Sequence, residues 1–121
     1  MFTILTVDDE VMICNMLCKF LQRIGYETLS ANSGEEALEL INKNKPDLVL
    51  LDIRMPGIGG KATLKEIKKV HNDLPVIMVT GMLDEKEAIK LLDEGAADYI
   101  TKPIDFAYLE KNLMVWKMMN E

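Results

Sequence analysis

The chain has 121 residues, 49% of them hydrophobic and 28% charged, which suits one globular domain with a real core and leaves too little length for two. Its formal net charge of −6 argues against a protein that binds nucleic acid through phosphate contacts of its own. No apolar run approaches the roughly 18–20 residues of a membrane span, and the opening MFTILTVDDE lacks the basic start and apolar length of a signal peptide, so the expected location is cytoplasmic, away from membrane.

In chain order, short apolar runs alternate five times with amphipathic stretches. The runs at 3–7, 47–51, 75–79 and 97–101 are rich in Val, Ile and Leu without strict alternation, so they read as strands covered on both faces. The run at 27–31, ETLSA, is more polar and suits an edge. The first amphipathic stretch turns Val11, Cys14, Leu17, Cys18, Leu21 and Ile24 to one face, with Ile13 and Phe20 at its border. The two cysteines therefore read as small core hydrophobes; a metal site would need more ligands, and His71 is the only histidine.

Ser33 followed three residues later by Glu36 is a capping box opening the second helix. Asp84 and Asp105 are expected to cap the fourth and fifth helices, Glu10 the first, and Gly25 and Gly95 sit where helices end. Strand–helix alternation at this spacing calls for an α/β fold, a doubly wound five-stranded parallel sheet with right-handed crossovers and helices on both faces. The last helix, 106–119, carries a core stripe of Phe106, Leu109, Leu113 and Trp116. It is also apolar elsewhere, with Ala107, Met114 and Met118 on one side and Tyr108, Val115 and Met119 on another, and so wants a second neighbour.

In an open parallel sheet the ligand crevice lies beyond the carboxyl ends of the strands. Here the first strand runs into Asp8, Asp9 and Glu10, the third into Asp52, the fourth into Thr80 and Gly81, and the fifth into Lys102 and Pro103. The second ends in Ala31, Asn32 and Ser33, which offers only a cap. Three carboxylates on one rim repel each other unless a cation sits among them, and a hard divalent ion with oxygen ligands is the natural one. Lys102 supplies a point charge for a phosphoryl oxygen, Thr80 a hydroxyl donor. Together they make a site for phosphoryl transfer, with Asp52 the nucleophile.

VDDE at 7–10, LLDIRMPGIGG at 50–60, VTG at 79–81 and DYITKP at 98–103 resemble, across essentially the whole chain, the receiver domain of two-component response regulators. The resemblance implies a single receiver domain over residues 1–121, a flavodoxin-like (βα)5 fold with strand order 2-1-3-4-5, and a signalling switch rather than a turnover enzyme. It makes Asp52 the phosphoacceptor, served by a sensor histidine kinase or a histidine phosphotransfer protein. It assigns Mg²⁺, with Mn²⁺ as a substitute, to Asp8, Asp9, Asp52 and the backbone carbonyl of Arg54, with Asp8 acting through water. Thr80 and Lys102 would bind phosphoryl oxygens, the Lys102–Pro103 bond would be cis, and Tyr99 would join Thr80 as the switch pair. The face of the fourth helix, fifth strand and fifth helix would carry the output and a homodimer contact.

Three positions depart from or vary within that pattern. Gly59 stands where the family often has Asp or Asn, weakening a helix cap, and Arg54 and Met82 occupy variable positions beside the phosphoryl group. Met12 and Met16, outside the buried arc of the first helix, offer an adaptable docking face next to the acid pair. An aspartyl-phosphate hydrolase of the haloacid dehalogenase type is the competing reading, but its second acid is missing, since Arg54 occupies that place. A receiver-like module without phosphotransfer is a third, although such modules normally lose a site residue and this chain keeps the set. His71 precedes the fourth strand, at the far end of the sheet from Asp52, so a donor must come from another molecule.

Overall fold

A computed structural model describes residues 1–81 and 85–119. Five strands and five helices alternate along the chain: β1 (Thr3–Val7), α1 (Val11–Arg23), β2 (Glu27–Ala31), α2 (Gly34–Lys43), β3 (Leu48–Asp52), α3 (Gly59–Val70), β4 (Val76–Thr80), α4 (Glu85–Asp93), β5 (Asp98–Thr101) and α5 (Phe106–Met119). All pairings are parallel, in the order β2-β1-β3-β4-β5 expected from the resemblance.

The lack of alternation in the central strands has a simple cause. Side chains on a strand point to opposite faces in turn, and here each face has its own core. Leu5, Val7, Val49, Leu51, Val76 and Met78 pack with Ala37, Ile41, Leu64, Ile67 and Leu91 from α2, α3 and α4. Ile4, Leu48, Leu50, Ile77 and Val79 pack with Leu17, Leu21, Leu109 and Leu113 from α1 and α5. Each such buried side chain contributes on the order of 1.5–3 kcal/mol relative to exposure.

β3 and β4 are buried throughout, whereas β5 is only partly covered. The expectation that β5 is shielded on both faces fails because it is the sheet's outer strand. Three strand starts also move along the chain by one residue. Asp47 lies before β3, not in it, where its carboxylate accepts from the Thr3 amide at 2.7 Å. Val11 is exposed although the helical projection placed it on the core face; it is the first residue of α1, and the helix makes its first buried contact with the strands three residues on, at Cys14.

Helix starts follow the capping signals in part. Ser33 Oγ accepts from the Glu36 amide at 3.1 Å, while Glu36 Oε1 reaches past Ser33 to accept from the Asn32 amide at 2.7 Å. Asp105 Oδ1 accepts from the Tyr108 amide at 3.1 Å. Glu10 precedes α1 but its side chain makes no cap; its own amide donates instead to Asp8 Oδ1 at 2.9 Å. Gly59 is no N-cap: that place falls to Ile58, and Gly59 opens α3 with a left-handed φ of +75°, a conformation that glycine adopts freely. Met82 and the expected cap Asp84 lie outside the described residues.

Candidate phosphoryl-transfer site

The carboxyl ends of β1, β3, β4 and β5 bring the sequence-predicted residues to one rim. Asp8 and Asp52 are buried and Asp9 is exposed. A carboxylate oxygen from each of the three lies within 4.8 Å of the others. Lys102 Nζ donates to Asp8 Oδ2 at 2.9 Å and sits 3.7 Å from Asp52 Oδ2. Thr80 is buried at the end of β4, and its carbonyl accepts from the Lys102 amide at 2.7 Å, so the lysine's backbone is tied to the threonine's. The Lys102–Pro103 bond is cis.

One lysine does not balance these acids. Burial, then the charge of Asp8, pushes Asp52 up from the ordinary 3.8 to about 6; Lys102, the Arg54 amide that hydrogen-bonds to the carboxylate, and Asp9 act more weakly. Lys102 is itself held above its usual value: burial opposes its charge, but the hydrogen bond to Asp8 and the field of Asp52 outweigh that. The donors are all oxygen, two of the three acids are sheltered, and the third is open to solvent. That set fits a hard divalent cation, which takes carboxylates and keeps room for further oxygen ligands.

The acids are held from behind by close packing that carries no obvious sequence signature. A Cβ on Gly60 would run into the Asp52 carbonyl and the Ile53 Cα, so the first turn of α3 rests directly on the backbone of the acid. The Gly60 amide donates to the Ile53 carbonyl at 2.9 Å. The adjacent pair Gly59-Gly60, just after a strand end, was the available signal for this contact.

Asn32 also does more than mark the cap expected at the end of β2. Its Nδ2 donates to the backbone carbonyl of Asp8 at 3.0 Å. Cys14 is buried as expected, but its thiol points at the Asp8 carbonyl, 3.5 Å away, besides those of Ala31 and Thr6. Both cysteines are free thiols.

Tyr99 is half-buried on β5, beside Met78 in register, and borders a groove of about 370 Å³ with Asp98, Pro103, Asp105 and Tyr108. Met12 and Met16 are exposed on α1, the helix that follows the acid pair. His71 caps the C-terminal end of α3, 3.4 Å from Asn42 Oδ1, remote from the rim as expected. Among the described residues no helix is long and apolar enough to cross a membrane.

Residues 4–114 match the family model of the response regulator receiver domain. The chain is 43% identical over 110 residues to the transcriptional regulatory protein ZraR of Escherichia coli strain K12, an alignment covering 91% of this chain and 25% of that protein; it thus spans a quarter of that relative's length. The receiver domain of Francisella response regulator 1452 superposes with a TM-score of 0.94 at 29% identity, covering all of both chains. The response regulator TrrA of Thermotoga maritima, solved in complex with Mg²⁺-BeF, superposes with a TM-score of 0.87 at 37% identity over 96% of this chain and 99% of that one. With the parallel order, the acid rim and these matches in hand, the chain belongs to the response regulator receiver domains of two-component signalling.

Proposed function

We propose that residues 1–121 form one receiver domain that accepts a phosphoryl group on Asp52 from a phosphohistidine of a sensor kinase or phosphotransfer protein. The observation that carries this reading is the meeting of the Asp52 carboxylate with Asp8, Asp9 and Lys102 on one rim. An Asp52 oxygen attacks phosphorus and forms a P–O bond as the P–N bond to the donor imidazole breaks. The bond's electron pair stays with that nitrogen, which takes up a proton. Asp9 and Asp52 would hold Mg²⁺ directly, Asp8 through water, and the Arg54 carbonyl would add an oxygen; Mn²⁺ has the same ligand preference. Bound there, the ion neutralises charge on the transferring oxygens.

Lys102 already stands 3.7 Å from Asp52 and supplies the fixed positive charge for the phosphoryl group, and Thr80 its hydroxyl donor. A phosphoryl group adds acceptor oxygens and about one further negative charge at Asp52. Thr80 drawn toward it would let Tyr99 move into the space behind, shifting a two-state equilibrium read on the face of α4, β5 and α5. That face, with Ile89, Leu92, Tyr108 and Val115 exposed, would carry a homodimer contact or an output domain. The protein acts as a signalling switch that catalyses only its own aspartyl phosphorylation and dephosphorylation.

Incubation with Mg²⁺ and a small acyl phosphate tests the reading by intact mass. The wild type gains one phosphoryl group and Asp52→Asn gains none; labelling of both, or of neither, refutes it. Mg²⁺ alone at tenfold its Kd stabilises the fold by about 1.4 kcal/mol.

A further inference from the structure

The turn from β2 into α2 touches both loops that carry the acids. On one side Asn32 Nδ2 reaches the Asp8 carbonyl at 3.0 Å, and the Asp8 amide donates to the Ala31 carbonyl at 3.1 Å. On the other, a Cβ on Gly34 would strike Thr63 and Ile58, and one on Gly57 would meet the Glu35 carboxylate, so α2 is seated hard against the loop after Asp52. Asn32 is itself held, its amide donating to Glu36 Oε1 at 2.7 Å.

We infer that Asn32 is a positioning residue for the metal-binding acids: its carboxamide holds the peptide between Asp8 and Asp9, and so the directions in which both carboxylates leave the backbone. The oxygen it binds belongs to that peptide, whose rotation changes ψ of Asp8 and φ of Asp9 together. Without the carboxamide, the one donor left to that oxygen among the described residues is the Cys14 thiol at 3.5 Å, a weak one. Partners that orient a ligand in this way are worth measurable affinity at metal sites. The inference rests on the proposed roles of Asp8 and Asp9 but not on phosphorylation itself.

The test titrates wild type, Asn32→Ala and Ser33→Ala with Mg²⁺ alone, reading Kd from the shift in thermal midpoint. Asn32 is exposed, so its truncation leaves the core intact, and Ser33→Ala removes the α2 cap of the same turn without touching Asp8. Asn32→Ala is expected to raise the Mg²⁺ Kd about three- to tenfold. Ser33→Ala is expected to lower the metal-free midpoint and leave Kd within about twofold of wild type. Since the defect is one of affinity, saturating Mg²⁺ restores the initial rate of acyl-phosphate labelling in Asn32→Ala. A Kd for Asn32→Ala close to wild type, an equal rise in Ser33→Ala, a rate that stays low at saturation, or a wild type that binds no Mg²⁺ each overturns the inference. A wild type that binds Mg²⁺ but is never labelled sinks the phosphoacceptor reading alone, and Asn32 is then judged on Kd.

Discussion

Two lysine–aspartate pairs stand at opposite ends of the sheet with the same separation. At the lower end Lys45 meets Asp73 at 2.9 Å with side chains 43% and 71% exposed. At the upper end Lys102 meets Asp8 at 2.9 Å with side chains 22% and 4% exposed. Asp73 is held below the ordinary carboxylate range, first by its hydrogen bond from Lys45, whose ammonium spans both carboxylate oxygens. Lys102 must serve two sheltered acids, and Asp52 still rises to about 6. Distance is therefore no guide to what a pair does. In water an ion pair is nearly neutral in energy, while a sheltered cluster with surplus charge stores electrostatic cost that a cation or a proton can relieve.

The tightest packing is at the upper rim, so the largest effect is expected there. Gly60→Ala should lower unfolding free energy by about 3 kcal/mol or more, because the obstacle is backbone and cannot swing aside. Gly81, on the same rim, has nothing among the described residues within 4 Å of the place a methyl would take, and Gly81→Ala should change stability by less than about 0.5 kcal/mol. Urea unfolding of the two variants checks this; equal losses would mean that α3 is not seated on Asp52.

Lys102→Ala leaves Asp8 and Asp52 facing each other without their cation, and should cost about 3 kcal/mol in metal-free buffer. Comparable damage from Lys45→Ala, measured side by side, would break the contrast between the two ends.

Protonation sharpens the same contrast. The folded-state value for Asp52, about 6, lies above the ordinary 3.8, so the stability due to its proton is complete below pH 3.8 and lost as pH rises through 6. Metal-free midpoints should fall across that window, while the stabilisation given by Mg²⁺ grows as the carboxylate ionises. Asp52→Asn should flatten both profiles and, in metal-free buffer at neutral pH, stabilise the fold by on the order of 2 kcal/mol. Thermal melts from pH 4.5 to 8, with chelator and with Mg²⁺, report both slopes.

The smallest effect belongs to the exposed pair. Lys45→Ala should leave the unfolding midpoint within error, and adding salt should not change that result.

Much of this architecture was legible because strand ends and apolar runs are marked by residue type. Leu48 to Leu51 could only be a strand covered on both faces, and Asp52 had to emerge at its carboxyl end. Lys102, Thr80, Asp8 and Asp9 were found by the same reasoning, from the ends of three further strands. The parts that escaped are set by backbone. Asn32 and Cys14 act on a carbonyl, which every residue owns, so nothing at position 8 advertised the contact. Gly60 matters through what a side chain would strike; the glycine pair after the strand end hinted at a close approach, but only the packed loop names the Asp52 carbonyl as the obstacle. Val11 obeyed the helical period, but periodicity says nothing of where along a helix burial begins. Glu10 had the right chemistry for a cap, but the Ile13 amide goes to its backbone carbonyl and its side chain makes no cap bond.

The apolar exterior of α5 bears on how the molecule behaves in bulk. Met114, Val115, Met118 and Met119 are each more than half exposed, and mean hydropathy is +0.05. At neutral pH the shared charge of −6 opposes non-specific association of this surface. Near the isoelectric point of about 4.8 that repulsion vanishes while the greasy surface stays, so acidified stocks will cloud first through this helix.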